Sequence, residues 1–225
     1  MTNFLLIPGG GSDPSYWQFV ETELAGLGHR GVPIDLPCAD NSADLRAYVD
    51  AVVAQNPDDG TRPVVVAHSL GGFTGPLACP QVDAAALVYL SGMVPRPGER
   101  PGEWWAATGC DEAQREAAAA GGYDVDDVNA LFYNGVDPSV VAGVVERDQS
   151  DTPMVAPWPG DALPELPTRF VLLRDDRFFP ESFMRRVVAQ RLAVEPDVMS
   201  GGHMAMLSHP AELAAHLVAA IPPAG

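Results

Sequence analysis

The segment VVVAHSLGG at residues 64–72 restricts the fold of this chain more than any other feature. Consecutive valines followed by alanine indicate a strand that is buried on both faces, as in a parallel sheet. Ser69 comes next, and the glycine pair after it lets a helix begin close to the strand. The pattern is that of a sharp strand–serine–helix turn, G-x-S-x-G, in which Ala67 replaces the first glycine and Gly71 keeps the second. We interpret Ser69 as a hydroxyl held above the carboxyl edge of a sheet. An ordinary helix start capped by serine is the alternative.

Apolar runs and helical patterns alternate along most of the chain, which predicts a parallel sheet with right-handed crossovers. The predicted strands lie at residues 4–7, 32–36, 64–67, 84–90, 169–173 and 194–199. The predicted helices lie at residues 17–27, 44–55, 181–192 and 211–220, with a further helix just after Ser69. Ser42 is a plausible N-cap of the helix at 44–55. The predicted fold class is α/β, with a mainly parallel sheet of about six strands flanked by helices.

One stretch interrupts this alternation. Between Pro95 and Pro167 no convincing strand occurs, helical patterns are confined to residues 111–120 and 125–132, and prolines and aromatic residues are frequent. We predict a single domain, residues 1–225, whose core is formed by residues 1–94 and 168–225 and whose helical lid, about residues 95–167, is inserted between two core strands. A second small domain is the alternative, but about 70 residues with sparse apolar runs would hardly fold alone.

Composition limits the partners and the compartment that we expect. A formal net charge of −17 disfavours nucleic acids and anionic membrane surfaces as partners. The three cysteines, Cys38, Cys79 and Cys110, contain no CxxC pair and fit neither a disulfide framework nor a zinc site. Neither a secretory signal nor an apolar run long enough to span a bilayer is apparent. We therefore expect a cytoplasmic protein with a small-molecule substrate, and the oligomeric state stays open.

A serine hydroxyl becomes a useful nucleophile at neutral pH when a base accepts its proton, and the base needs an acid to orient it. Among the five histidines, His203 is favoured because the segment SGGHMAM places it in a glycine-rich loop between the last predicted strand and helix. His68 adjoins Ser69, but we expect its side chain to project the other way and to line the turn. Asp175 and Asp176, in the loop after the preceding strand, are the two candidate acids. The order serine, aspartate, histidine is the one expected of such a fold.

Two backbone amides are candidates for an oxyanion hole beside Ser69. The N–H of Leu70 lies at the N-terminus of the helix that follows the serine. Gly10, in the loop PGGGSD after the first strand, is the second candidate because glycine lets the backbone approach a ligand closely. This loop is not a dinucleotide fingerprint, since Pro14 occupies the place of the last glycine. With no P-loop or metal-ligand pair in the sequence, we expect neither a metal nor an organic cofactor.

Four segments resemble the plant methylesterase and hydroxynitrile-lyase group of α/β hydrolases. They are LIPGG with Trp17 downstream, AHSLGG, DDRFFP and GHMAMLSHP. The resemblance covers nearly the whole chain and implies the α/β-hydrolase fold. The last segment is the most specific, because the esterases of the group carry HMAML at the catalytic histidine. In the third, the acid of the group lies four residues before a proline. Asp176 stands four residues before Pro180, which favours it over Asp175.

Two positions favour the esterase branch of the group. The lyases typically have a lysine directly after the catalytic histidine and often a cysteine after the serine, whereas this chain has Met204 and Leu70 there. Two features depart from the group. Its first loop usually has a histidine where this chain has Pro8, and the lid sequence is divergent. The resemblance therefore does not identify a substrate.

The resemblance and the residue chemistry together predict a serine hydrolase, similar to a carboxylesterase, that cleaves a small apolar ester through an acyl-enzyme. Ser69 would be the nucleophile, His203 the general base and Asp176 the orienting acid, with the amides of Gly10 and Leu70 as oxyanion hole. The candidate pocket residues, each also explicable as core, are Trp104, Trp105, Phe132, Tyr133, Phe178, Met204 and Met206. A lyase or a cyclase/isomerase that uses the same triad for proton transfer is one alternative, and a non-catalytic binding protein is another.

Overall fold

Parallel strands form the sheet at the centre of the computed structural model, which describes residues 1–223. The strands are β1 (Asn3–Ile7), β2 (Arg30–Pro33), β3 (Val64–His68), β4 (Ala86–Leu90), β5 (Thr168–Leu173) and β6 (Asp197–Met199). Their order across the sheet is β2-β1-β3-β4-β5-β6. The chain therefore starts at β1, moves out to β2 and returns to β3 on the other side. Such a reversal opens a crevice at the carboxyl ends of the strands.

Helices connect the strands and cover the sheet. They are α1 (Gln18–Gly26), which a 3-10 turn at Pro14–Trp17 precedes, α2 (Leu45–Gln55), α3 (Gly71–Ala78), α4 (Pro101–Thr108), α5 (Cys110–Gly121), α6 (Val128–Phe132), α7 (Pro138–Val141), α8 (Thr152–Val155), α9 (Glu181–Arg191), α10 (Ala205–Ser208) and α11 (Pro210–Val218). None of the helices in the described part of the chain is long and apolar enough to cross a membrane. The parallel sheet and the helices that flank it confirm the α/β-hydrolase architecture predicted from the sequence.

Both faces of the sheet are covered by hydrophobic cores, and β1 contributes to both. Leu5 and Ile7 pack in the core that contains residues of α2, α3 and α9. Phe4 and Leu6 pack in the core that contains residues of α1 and α11. Successive side chains of a strand point to opposite faces, so a strand covered on both sides needs an unbroken apolar sequence.

The two edge strands are shorter than predicted. β2 spans Arg30–Pro33 instead of residues 32–36, since its pairing with β1 runs from Arg30 opposite Asn3 to Pro33 opposite Leu6. β6 begins at Asp197 instead of residue 194, since it pairs only with the last three residues of β5. The length of an edge strand thus depends on its single neighbour as well as on its own apolar run.

Two predictions about helix starts are corrected by capping contacts. Asp44, and not Ser42, caps α2, since its carboxylate accepts a hydrogen bond of 3.0 Å from the amide of Ala47. The hydroxyl of Ser42 bonds instead to the carboxylate of Asp40. In the same way Asp127 caps α6, so this helix begins at residue 128 instead of 125.

The segment 95–167 contains α4 to α8 and lies between β4 and β5. It is fastened to the core by buried polar contacts. The indole N–H of Trp158 donates to the carbonyl of Phe73 in α3 at 2.9 Å. At the start of the segment, the carboxylate of Glu99 forms a two-pronged ion pair of 2.6 and 2.8 Å with Arg191 of α9. These contacts place the segment over the carboxyl edge of the sheet, where it supplies part of a cavity wall.

Candidate active site

Ser69 occupies the turn between β3 and α3 and has a strained backbone. Its φ is +50°, a left-handed value that residues other than glycine rarely adopt. The amide of Met93 donates to the carbonyl of Ser69 at 2.9 Å, and that of Gly72 donates to the same oxygen at 3.0 Å. The amide of Ser69 itself donates to the carbonyl of Leu90 in β4. These contacts hold the serine in the sharp turn that the sequence motif predicts.

The glycines beside this turn are required by close packing. A Cβ atom on Gly72 would lie 2.1 Å from the carbonyl oxygen of Met93, and one on Gly71 would lie 2.6 Å from that of Pro8. Gly75, further along α3, faces β3, where its added Cβ would lie 2.7 Å from the Cβ of Ala67. Helix α3 and strand β3 therefore pack very closely at this point. Ala67 fits in the strand because the facing residue of the helix, Gly75, has no side chain.

Ser69, His203 and Asp176 form a continuous chain of hydrogen bonds. Ser69 Oγ lies 3.1 Å from His203 Nε2, and His203 Nδ1 lies 2.9 Å from Asp176 Oδ2. A carboxylate can only accept, so Nδ1 carries the proton and the Nε2 of a neutral ring is free to accept one from Ser69. Asp175 lies outside this chain, since its exposed side chain accepts a hydrogen bond from the amide of Gly201. The arrangement is competent to transfer a proton from Ser69 to His203.

The carboxylate of Asp176 is held by further donors on both of its oxygens. The amides of Phe178 and Phe179 donate to Oδ1 at 2.9 and 2.8 Å. The hydroxyl of Ser91 donates to Oδ2 at 2.7 Å, the same oxygen that faces His203. Sequence reasoning missed Ser91. The available signal was its place directly after β4, at the sheet edge that also supplies Ser69 and Asp176.

His68 packs against His203 and is neutral. Its Nε2 lies 3.1 Å from the carbonyl oxygen of His203, and the two ring centres are 4.7 Å apart. A carbonyl only accepts, so Nε2 carries the proton of the ring. Complete burial, reinforced by the neighbouring His203, lowers the pKa of His68 well below its usual 6.5. The ring also forms part of the cavity wall next to Ser69, so it does not project wholly away as we predicted.

A cavity of about 360 Å³ opens at Ser69 and His203. Its walls come from the loop after β1, the turn at Ser69, the loop after β5, the loop at His203 and the segment 95–167. Of the side chains predicted to line a pocket, Trp105, Phe132, Phe178 and Met204 do so. The cavity is thus largely apolar beside the polar chain of Ser69 and His203.

Three of the predicted pocket residues lie elsewhere. Trp104 is fully buried in one hydrophobic core, and Met206 is buried in the core on the other face of the sheet. Tyr133 borders a neighbouring cavity of about 210 Å³, where its hydroxyl donates to Glu146 at 2.9 Å. Adjacent residues of a helix point in different directions, so Trp105 reaches the main cavity whereas Trp104 does not.

Sequence reasoning also missed several residues of the main cavity wall. They are Ser12, Met93, Gln149, Asp151 and Met154. The last three lie in or just before the short helix α8, where no pattern in the sequence indicates which side chains face inward. Asp151, the residue directly before α8, is exposed and brings a carboxylate to this wall.

Gly10 and Leu70 both border the cavity next to Ser69. A Cβ atom on Gly10 would lie 3.3 Å from the side chain of Leu70 and 3.3 Å from Oε1 of Gln149, which itself accepts from the amide of Gly11. Within residues 1–223, no group accepts a hydrogen bond from the amide of Gly10 or of Leu70. Both N–H groups are therefore available to an oxygen atom of a bound molecule, as an oxyanion hole requires.

The fold is shared with solved structures of hydrolases. A pyrethroid hydrolase from Sphingobium faniae JZ-2 has a TM-score of 0.75 at 21% identity, over 99% of this chain and 98% of that chain. An extracellular alpha/beta-hydrolase from a Paenibacillus species has a TM-score of 0.76 at 17% identity, over 100% of both chains. That protein shares structural and functional homology with tobacco salicylic acid binding protein 2. A methylesterase from Arabidopsis has a TM-score of 0.70 at 18% identity, over 98% of this chain and 99% of that chain.

The plant methylesterase among these structures agrees with the resemblance of the sequence motifs to that group. Among curated proteins, none is significantly similar in sequence to this chain. The model of the alpha/beta hydrolase family matches residues 4–216, a span that includes the Ser69 turn, Asp176 and His203. This chain therefore belongs to the α/β-hydrolase family.

Proposed function

We propose that this protein is a serine carboxylesterase with Ser69 as nucleophile, His203 as general base and Asp176 as orienting acid. The observation that carries the proposal is the hydrogen-bond chain from Ser69 through His203 to Asp176, whose Ser69 end borders an apolar cavity. Family membership makes hydrolysis the expected class of reaction. The strained turn at Ser69 supports the same role, because backbone strain concentrates at functional sites.

In the proposed acylation, His203 Nε2 takes the proton of Ser69 Oγ while this oxygen forms a bond to the carbonyl carbon of the ester. Asp176 keeps the Nδ1 proton in place and stabilises the imidazolium. The amides of Gly10 and Leu70 donate to the carbonyl oxygen as it becomes negatively charged. The intermediate then collapses, the bond to the alcohol oxygen breaks, and Nε2 returns its proton to the leaving alcohol.

Deacylation repeats these steps with water as the nucleophile. His203 accepts a proton from water while the water oxygen attacks the acyl carbon, and the same two amides hold the oxyanion. Ser69 Oγ leaves and recovers the proton from Nε2. The products are a carboxylic acid, an alcohol and the free enzyme, so atoms and charges balance without a cofactor.

The cavity favours a small, uncharged ester. A volume of about 360 Å³ lies near the lower end of the range for small-molecule sites. Trp105, Phe132 and Met154 offer apolar surface to an acyl or alcohol group. The carboxylate of Asp151 lies at the wall, and the net charge of the chain is −17, so anionic esters are disfavoured.

Intact-protein mass spectrometry after treatment with a fluorophosphonate probe tests the nucleophile, and turnover of p-nitrophenyl acetate and butyrate tests the reaction. The variants are Ser69→Ala and, as a matched control, Ser150→Ala. Ser150 is a buried serine whose hydroxyl accepts from the amide of Thr152 and which does not line the cavity. We expect one covalent label on wild type and on Ser150→Ala, and neither label nor turnover for Ser69→Ala.

A wild-type protein that is neither labelled nor active on these esters would contradict the proposal. Labelling that persists in Ser69→Ala would contradict the assignment of Ser69 as nucleophile. Rapid quenching with an ester substrate, followed by mass spectrometry, adds a second criterion. An acyl-enzyme on Ser69 distinguishes hydrolysis from a lyase or isomerase reaction that transfers protons without acylation.

A further inference from the structure

Ser91 is the first residue after β4, and its side chain is fully buried. Its amide donates to the carbonyl of Val171 in β5 at 2.9 Å, which fixes its backbone between the two strands. Its φ is +39°, a left-handed value like that of Ser69. The hydroxyl donates to Asp176 Oδ2 at 2.7 Å. A carboxylate has no proton to give, so the single proton of Ser91 is committed to Asp176.

The oxygen that Ser91 contacts is the one that His203 also contacts. Oδ2 of Asp176 takes the hydroxyl of Ser91 at 2.7 Å and the Nδ1–H of His203 at 2.9 Å. Oδ1 is occupied by two backbone amides from the start of the next loop. A charge-assisted bond to a shared oxygen fixes the plane of the carboxylate and draws part of its charge away from the imidazole.

We propose that Ser91 is a positioning residue that moderates the basicity of His203 through Asp176. Without its hydroxyl, Oδ2 presents more negative charge to Nδ1, and the imidazolium is stabilised more strongly. His203 then keeps its second proton to a higher pH, so at a given acidic pH fewer molecules have the neutral ring that can accept a proton from Ser69. Removal of the hydroxyl also takes away one of the donors that orient the carboxylate, so the ring is held less well. The kinetic consequences rest on the proposed esterase function, whereas the titration of His203 does not.

The other titratable groups around this pair do not compete for the same oxygen. His68 faces His203 with ring centres 4.7 Å apart and bonds to its carbonyl oxygen. The Cys110 thiol and the Tyr123 hydroxyl lie near Asp176, whose charge contributes to the rise of both pKa values after the larger effect of burial. Charged groups on the adjoining elements include Asp111, Asp175, Arg177 and Arg186. Among the described residues, Ser91 is the one side chain besides His203 that donates to Asp176.

Two substitutions separate the hydroxyl from the backbone conformation. Ser91→Ala removes the hydroxyl but keeps a side chain at a φ of +39°, whereas Ser91→Gly removes the hydroxyl and relieves the strain. Ser150→Ala serves as the matched control, because it removes a buried hydroxyl that does not contact Asp176. Two measurements are made on each full-length variant. One is the NMR titration of the His203 ring protons, and the other is the pH profile of kcat/KM for p-nitrophenyl butyrate.

For both Ser91 variants we expect the titration midpoint of His203 and the acid limb of kcat/KM to move up by about 0.5–1 pH unit. We expect kcat on the plateau to fall about tenfold with KM changed less, as for the loss of one charge-assisted hydrogen bond. Midpoints that stay within about 0.2 pH units of wild type, or move down, overturn the proposal. A shift in Ser91→Ala that is absent in Ser91→Gly also overturns it, because backbone strain would then be the cause. If esters are not turned over but the NMR midpoint moves up, the proposed function fails and the role of Ser91 stands.

Discussion

Single residues of this site owe their chemistry to contacts that span the chain. Asp176 receives backbone amides from its own loop, a hydroxyl from the end of β4 and an imidazole from the loop after β6. The sequence identifies Ser69 and His203 because each lies in a local motif. Ser91 carries no such motif, and only the parallel pairing of β4 with β5 brings it next to Asp176. Residues defined by local strain or spacing are therefore predictable, whereas residues defined by a distant partner are not.

His68 gives a prediction about the pH dependence of stability. Burial lowers the pKa of His68 in the folded protein well below 6.5. As the pH falls through 6.5, this histidine therefore binds a proton in the unfolded chain but stays neutral in the folded protein. Folding stability should therefore be fully present above pH 6.5 and decrease below it. Glutamine keeps a donor for the carbonyl of His203 but does not titrate. From pH 8 to pH 5, His68→Gln should gain up to about 2 kcal/mol in unfolding free energy relative to wild type.

Urea unfolding followed by tryptophan fluorescence at several pH values measures this difference. His216→Gln is the control, since this half-buried histidine of α11 has no contact with His203. It shows how the loss of one histidine elsewhere in the chain changes the pH dependence. If the pH dependence of His68→Gln does not differ from that of wild type, His68 binds its proton equally in the folded and unfolded protein, and the neutral, buried state that we describe is wrong.

At the scale of elements, the central strands are more predictable than the edges and the insertion. β3 appears as predicted because it is buried on both faces and its sequence alone specifies that environment. The ends of β2 and β6 depend on where their single neighbours stop. In segment 95–167, short helices of mixed polarity bury one side chain and turn the next toward the cavity, as Trp104 and Trp105 do. The direction in which each of these side chains points is set by how its helix packs on the core, and the periodicity of the local sequence does not predict it.

The contact of α3 with β3 gives a prediction about packing at the Ser69 turn. Gly75→Ala adds a Cβ that would lie 2.7 Å from the Cβ of Ala67, so we expect a loss of about 1–3 kcal/mol in unfolding free energy despite the higher helix propensity of alanine. Ala67→Gly restores the first glycine of the G-x-S-x-G pattern and makes room for the new methyl group. The double variant should therefore be more stable than Gly75→Ala alone.

A double-mutant cycle of unfolding free energies measures the coupling between these positions. Gly26→Ala in α1 is the control, because nothing lies within 4 Å of its added Cβ. It should leave stability unchanged or raise it by up to about 1 kcal/mol through the helix propensity of alanine, and it should show no coupling to Ala67→Gly. A Gly75→Ala protein as stable as wild type, or additive effects at positions 67 and 75, would show that the helix moves away from the strand at little cost.

At the scale of the whole molecule, a largely apolar cavity lies in a chain with a strongly negative net charge. The net charge is −17, and Asp151 brings one negative charge to the cavity wall. The ion pairs of the described residues use many of the arginines, for example Arg191 with Glu99 and Arg147 with Asp35. The remaining field repels anions that approach the cavity, and it is screened over about 10 Å at 0.1 M salt.

This field predicts that salt distinguishes anionic from neutral substrates. Between about 10 and 200 mM NaCl, kcat/KM for the monoanionic p-nitrophenyl succinate should rise about threefold or more, because screening weakens the repulsion. The value for neutral p-nitrophenyl butyrate should stay nearly constant. Asp151→Asn should raise kcat/KM for the anionic ester at low salt and leave that for butyrate unchanged, since it removes a negative charge from the cavity wall. Equal salt responses of the two esters would mean that the acidic surface does not act on substrate selection, and that the apolar wall alone excludes charged esters.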